Sequence, residues 1–124
     1  MALPRFKERR RYNRRRIYLS VDVVLDNGSI LPATLQNISE NGAQFRCDSW
    51  IANEIEPRGI QNHLCENIQL RLVASLNEQN KLYAQCKVIS AQRLSQDAYE
   101  IGVEFTGFEF GCQRALTQYL ETLD

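Results

Sequence analysis

The chain has 124 residues, 44% of them hydrophobic and 24% charged, the length and composition of one ordinary soluble domain with a single core and no room for a second. Its formal net charge of zero conceals a segregation. Residues 1–16 hold Arg5, Lys7, Arg9, Arg10, Arg11, Arg14, Arg15 and Arg16 against Glu8 alone, a net +7, while residues 17–124 hold seven cations against fourteen acids, a net −7.

Residues 1–8 read as a flexible basic tail and residues 9–16 as an arginine arm, because like charges this dense repel one another and bury little. Ile17, Leu19, Val21, Val23 and Leu25 then alternate with mostly polar neighbours, the period of two that marks a half-buried strand. Asp26-Asn27-Gly28 predicts a tight primed turn. A return strand follows over about 29–36, and Pro32 within it predicts an edge position or a bulge, since proline cannot donate to a ladder. Residues 37–42 break the alternation, and Ala43, Phe45 and Cys47 resume it.

Residues 48–66 contain Pro57 and Gly59 without a sustained period and read as a long surface connection. Trp50 opens it, with a core or loop-anchoring role favoured over a partner surface. Ile68 to Leu76 and Leu82 to Val88 alternate around a turn at 77–80, and Tyr99, Ile101, Val103 and Phe105 form a sixth strand. Phe108, Cys112, Ala115, Leu116, Tyr119, Leu120 and Leu123 then share one face of a helix over 108–123. Six strands in meander order over 17–106 with one C-terminal helix predict a small antiparallel β-barrel, since closure removes exposed edges.

Little in the chain equips it for catalysis: one histidine, no nucleophile-and-base pattern and no phosphate-cradling glycine loop predict a protein that is not an enzyme. Glu54, Glu56 and Glu66 read as solvated surface groups. His63 and Cys65 lack the paired spacing of a zinc motif, so no metal is expected, and Cys47, Cys65, Cys86 and Cys112 read as free thiols. No apolar core of signal-peptide length follows the N-terminal charges and no apolar run approaches the roughly 20 residues of a membrane helix, so a cytoplasmic location is expected.

One short segment is placed to work with the arm. Asn37-Ile38-Ser39-Glu40-Asn41-Gly42 sets an amide, a hydroxyl and a glycine into a bend between strands. Alone it reads as a routine turn. Arg10 and Arg14, however, stand just before the first strand and Asn37 just after the second, so a hairpin returns the arm to this bend.

Arg10-x-x-x-Arg14 followed by Asn37-x-Ser39-x-x-Gly42 resembles the paired signature of the PilZ domain family of cyclic di-GMP receptors. Ile101-Gly102-Val103-Glu104-Phe105 is similar to the family's last barrel strand, so the resemblance runs from about Glu8 onward. It implies a PilZ-like barrel whose ligand is cyclic di-GMP, a bacterial second messenger, with no other cofactor. Arg10 and Arg14 are then expected to hold guanine edges and phosphate, which the guanidinium fork suits. Asn37 and Ser39 are expected to hydrogen-bond the base, and Gly42 to leave room through a positive φ or close ligand approach. Arg9, directly before Arg10, implies two dinucleotides per chain, although Arg11 and Arg15 offer the same spacing one residue on. Asn37 stands where aspartate is commoner and lacks its charge, which implies a lower affinity. The resemblance implies signalling to an unidentified downstream protein by a monomer or weak dimer, without specific nucleic acid. Two other readings stay open: a PilZ-like adaptor that binds proteins without nucleotide, and a generic polyanion binder, for nucleic acid or acidic membrane, working through counterion release.

Overall fold

β1 (Arg15–Val24), β2 (Ile30–Ile38) and β3 (Gly42–Asp48) form one antiparallel three-strand unit, and β4 (Gln69–Ser75), β5 (Lys81–Ser95) and β6 (Ala98–Phe108) form another. In this computed structural model, which describes residues 14–123, β3 pairs with β6 and β1 with β4, closing a barrel in the order β1-β2-β3-β6-β5-β4. The strands are those the alternation predicts, but the order is not one continuous meander. The segment after β3 carries the chain past β6 to the far side of the barrel, so β4 begins beside β1.

That segment is also more ordered than its sequence implies. It contains a helix, α1 (Ser49–Ile55), and two 3-10 turns at Ile60–Asn62 and Leu64–Glu66. The pattern is hidden because each piece is a turn or two long and buries only Ile51, Ala52 and Ile60. Trp50 is 53% exposed, against the expected core or anchoring role. Glu56 is buried rather than solvated, accepting from Arg58 Nε at 2.9 Å and Nη2 at 2.8 Å. Arg58 also reaches Glu66 at 3.2 Å, and His63 Nδ1 lies 3.3 Å from the same carboxylate oxygen.

The barrel interior is filled by the alternate residues of every strand, with Leu35, Phe45, Leu72, Leu82, Ile101 and Val23 fully buried. The C-terminal helix α2 (Cys112–Thr122) packs on β5 and buries Cys112, Leu116, Tyr119 and Leu120 at helical spacing. Phe108, predicted on that helix, belongs instead to β6, where its ring packs 5.4 Å from Phe105. The β1–β2 turn is not primed. Only Gly28 takes a positive φ, +90°, and Asn27 instead accepts Ser29 N–H at 2.9 Å, giving a longer loop with glycine at its end. Pro32 sits where β2 pairs with β1 but has left β3, so its missing N–H interrupts no ladder.

The Arg58 hydrogen bonds, with that guanidinium's charge beside them, hold the Glu56 carboxyl at about 2 against an ordinary 4.5. A depressed folded-state pKa adds stability that is fully present above about pH 4.5 and is lost as pH falls toward 2. The chain is therefore more thermally stable than its Glu56→Gln variant at neutral pH, and the two melting curves converge between these limits. A gap that persists unchanged at pH 2 contradicts this.

Candidate functional site at the β2–β3 bend

The outer face of the first hairpin is shaped by a change of step. From Arg15 to Leu19 β1 takes four residue steps, β2 covers the same stretch from Ile38 to Leu35 in three, and β3 from Ala43 to Phe45 in two. Surplus residues bulge, and a bulge re-aims its neighbours. β1 keeps its alternation, with Tyr18 outward at 78% exposure beside Arg16 and Ser20, while β2 shifts phase so that Ile38 joins Ile17 and Ala43 in the core. The sequence alternation stops at Gln36 for this reason: β2 continues through Asn37 and Ile38 with its phase shifted by one.

The register then lines up polar residues on the outside. Arg16 lies opposite Asn37, Asn37 opposite Gln44, and Gln44 opposite Gly102. The neighbouring row carries Arg46 opposite Glu100, paired at 3.6 Å. Arg16, Tyr18, Gln36, Asn37, Gln44, Arg46 and Glu100 line a polar groove of about 330 Å³. A larger depression of about 580 Å³ between β1, β4 and β5 contains no bend residue, with Asp22 and Lys81 as its charged groups. The smaller groove is therefore the candidate site.

Asn37 is held at its centre. Its Nδ2 donates to Gln44 Oε1 at 2.6 Å, and its Oδ1 is buried without a hydrogen-bond partner. A buried acceptor left unpaired costs about 1–3 kcal/mol, which a donor arriving from a ligand recovers. Ser39, 3% exposed, is occupied within the bend: its Oγ accepts from Asn41 N and Gly42 N at 3.2 Å each, and its own N–H donates to Gly42 O at 2.9 Å. Asn41 O accepts Phe105 N–H at 2.8 Å, which ties the bend to β6.

Of the two reasons expected for Gly42, a positive φ or close ligand approach, the backbone does not take the positive φ. A Cβ at this position would run into the backbone carbonyl oxygen of Val103, so the missing side chain lets β3 lie close against β6. Gly102 has a similar duty toward a side chain, since a Cβ there would strike Ser90 Oγ and touch Gln44 Cγ.

Of the predicted arm residues, Arg14 is exposed one residue before β1, beside the bend. Arg9 and Arg10, with Arg11, lie outside the described residues. Arg15 and Arg16, read as arm, are the first residues of β1. Arg16 shares the outer face with Asn37, whereas Arg15 pairs with inward-facing Ile38 on the alternate face. Sequence reading missed Arg16, Gln36, Gln44, Arg46 and Glu100 as groove residues. Their only signal was register: Gln44 is Asn37's partner across the bend once β2 is extended to Ile38.

Among the described residues no group of three or more His, Cys, Asp or Glu is arranged to hold a metal. Cys47, Cys86 and Cys112 are buried and Cys65 is exposed, all unpaired. Burial pushes the Cys47 and Cys86 thiols up to about 12, so both stay protonated and packed rather than reactive.

Comparison with known proteins gives this arrangement a context. The family model for the PilZ domain matches residues 8–122. No curated protein matches the sequence. Among solved structures, the PilZ domain of Escherichia coli YcgR with c-di-GMP superposes with a TM-score of 0.67 at 16% identity, covering 93% of this chain and 91% of that one. The K. pneumonia MrkH–c-di-GMP complex gives 0.67 at 20%, covering 92% and 52%. The Bacillus subtilis inhibitor of motility gives 0.64 at 20%, covering 92% and 50%. The chain thus spans about half the length of the last two. No helix among the described residues is long and apolar enough to cross a membrane.

Because backbone, not a flexible side chain, opposes a Cβ at Gly42, Gly42→Ala destabilises the ligand-free protein by about 1–3 kcal/mol. The measurement is urea unfolding, read as a lower midpoint at unchanged slope. An unchanged midpoint removes the packing role assigned to this glycine.

Proposed function

This chain is a member of the PilZ domain family, and we propose that it is a cyclic di-GMP receptor that grips the dinucleotide between its N-terminal arginines and the β2–β3 bend. The observation that carries the reading is the register of β1 on β2: Arg16 faces Asn37, and Arg14 stands two residues before Arg16, just ahead of the strand. Arg16, the last arginine of the N-terminal cluster, and Asn37, which opens the bend, are far apart in sequence and line one groove. The dinucleotide structures found among the superposed PilZ proteins support the same ligand.

Each residue type suits a part of that ligand. Arg10 and Arg14 hold guanine O6 and N7 and neutralise phosphate. Asn37 offers its unpaired Oδ1 to the N1–H and N2–H₂ donors of guanine. Ser39 and Gly42 act one step back, keeping the bend in the shape that presents Asn37. The exposed position of Arg14, and the turning of Arg15 to the alternate face, favour Arg10/Arg14 over Arg11/Arg15 as the gripping pair. Arg9 completes a second guanidinium layer, so two dinucleotides bind per chain.

The protein acts as a receptor and adaptor rather than as an enzyme: ligand fixes the arm over the bend, and the altered surface is read by a downstream protein. Free thiols fit a reducing cytoplasm. A polyanion binder shares the arm but has no use for a bend whose buried unpaired side-chain atom, among the described residues, is an acceptor, since phosphates bring acceptors of their own.

Calorimetry with cyclic di-GMP, GTP and cyclic di-AMP at two salt concentrations tests the reading. Guanine-selective binding of two dinucleotides per chain, surviving added salt, is expected. Arg10→Ala and Arg14→Ala each weaken it roughly ten- to hundredfold, the worth of a charged hydrogen bond, with melting temperature unchanged. Arg9→Ala leaves one ligand. Binding that ignores base identity and collapses with salt returns the protein to the polyanion class.

A further inference from the structure

We infer that Gln44 is a positioning residue: by accepting from Asn37 Nδ2 it sets the direction of the Asn37 amide, and with it the preference for guanine over adenine. The inference rests on the reading of the groove as the cyclic di-GMP site. Three observations carry it. The Asn37–Gln44 contact, at 2.6 Å, is short for an amide pair and joins residues directly opposite across the hairpin. Asn37 Oδ1 is left buried without a partner, so the direction of this amide is decided on the Nδ2 side. Gln44 lies directly opposite Gly102 on β6, whose missing Cβ leaves room for Ser90 Oγ, with the Gln44 Cγ and the Ser90 Cβ both at van der Waals distance from that position.

The chemistry follows from which end of the amide is engaged. An asparagine amide has one acceptor end and one donor end, and turning it over exchanges them. With Nδ2 tied to Gln44, the end left for a ligand accepts, which matches the N1–H and N2–H₂ donors of a guanine. Turned over, it presents a donor, which matches the N1 acceptor of adenine and leaves guanine's donors opposed by N–H. An aspartate at position 37 would accept from either oxygen and need no such support. The amide in its place makes the neighbour on β3 a specificity determinant.

The test uses the full chain and reads the ratio of affinities for cyclic di-GMP and cyclic di-AMP by competition calorimetry, alongside the melting temperature. Both dinucleotides carry the same two phosphates, so the ratio cancels any change in local charge. Gln44→Met keeps length and apolar contact but removes the acceptor, and the guanine preference falls about tenfold, the worth of one hydrogen bond to a buried group, while stability is kept. Gln44→Glu offers only acceptors and restores the parental ratio. A Gln44→Met protein with the parental ratio overturns the inference when Asn37→Ala has lost binding, and the site reading then stands. If Asn37→Ala binds as the parent does, the site reading fails and the inference falls with it.

Discussion

The staircase of residue steps across β1, β2 and β3 is the constraint on which the rest of the molecule depends. Side chains alternate across a strand with a period of two, so a single-residue slip exchanges inside for outside. Leu31 and Leu35 face the core on odd numbers, and Ile38 faces it on an even one. Without the extra step at Gln36, Ile38 would be expelled and Asn37 buried against apolar neighbours. The irregularity thus satisfies the core and exports Asn37 in one move, and the surplus on β1 is what sets Arg16 opposite it. Core packing and site assembly are here the same geometric fact.

The bend beyond the slip is rigid through backbone contacts rather than through bulk. Ser39 spends its hydroxyl on two N–H groups of its own turn, Gly42 admits the β6 carbonyl, and Asn41 bonds to Phe105. None of these contacts reaches outward. What they produce is a fixed platform on which one amide stands with an acceptor unpaired. A preorganised group that keeps an unsatisfied valence raises the free energy of the empty protein, and that excess is returned when a matching donor arrives.

Most of the fold was legible in the sequence because strands of a half-buried barrel write their period openly, and Ile68 to Leu76 or Tyr99 to Phe105 do so. The strand order was not. Alternation says which face a residue takes but nothing of which neighbour it has, and the shift to a β3–β6 pairing was concealed in a connection too short-pieced to show periodicity. The motif halves at Arg10/Arg14 and Asn37–Gly42 were visible as residue types at spacings. Gln44, Arg46 and Glu100 were not, because their membership depends on the phase slip, and a bulge leaves no composition signal. Gly42 was ambiguous in a different way: glycine answers equally to a positive φ and to a close neighbour, and only the position of Val103 shows that the close neighbour is strand β6.

The sign pattern of the groove bears on how selective such a site is. Arg16 and Arg46 stand in its wall, but so does Glu100, 3.6 Å from Arg46. The Arg46 and Glu100 side chains are 51% and 21% exposed, and a partly exposed pair of this kind contributes little to stability. Its value lies elsewhere. A wall of one sign attracts every polyanion in proportion to charge, and the attraction decays with salt. A carboxylate among the arginines lowers that general attraction and charges a cost to phosphate wherever the base contacts do not repay it. On the proposed reading the cationic N-terminal sequence supplies approach and neutralisation, while the mixed-sign groove, with the buried unpaired Asn37 Oδ1, supplies the choice. On that reading, division of labour of this kind lets a chain with +7 at one end and −7 over the rest separate attraction from selection.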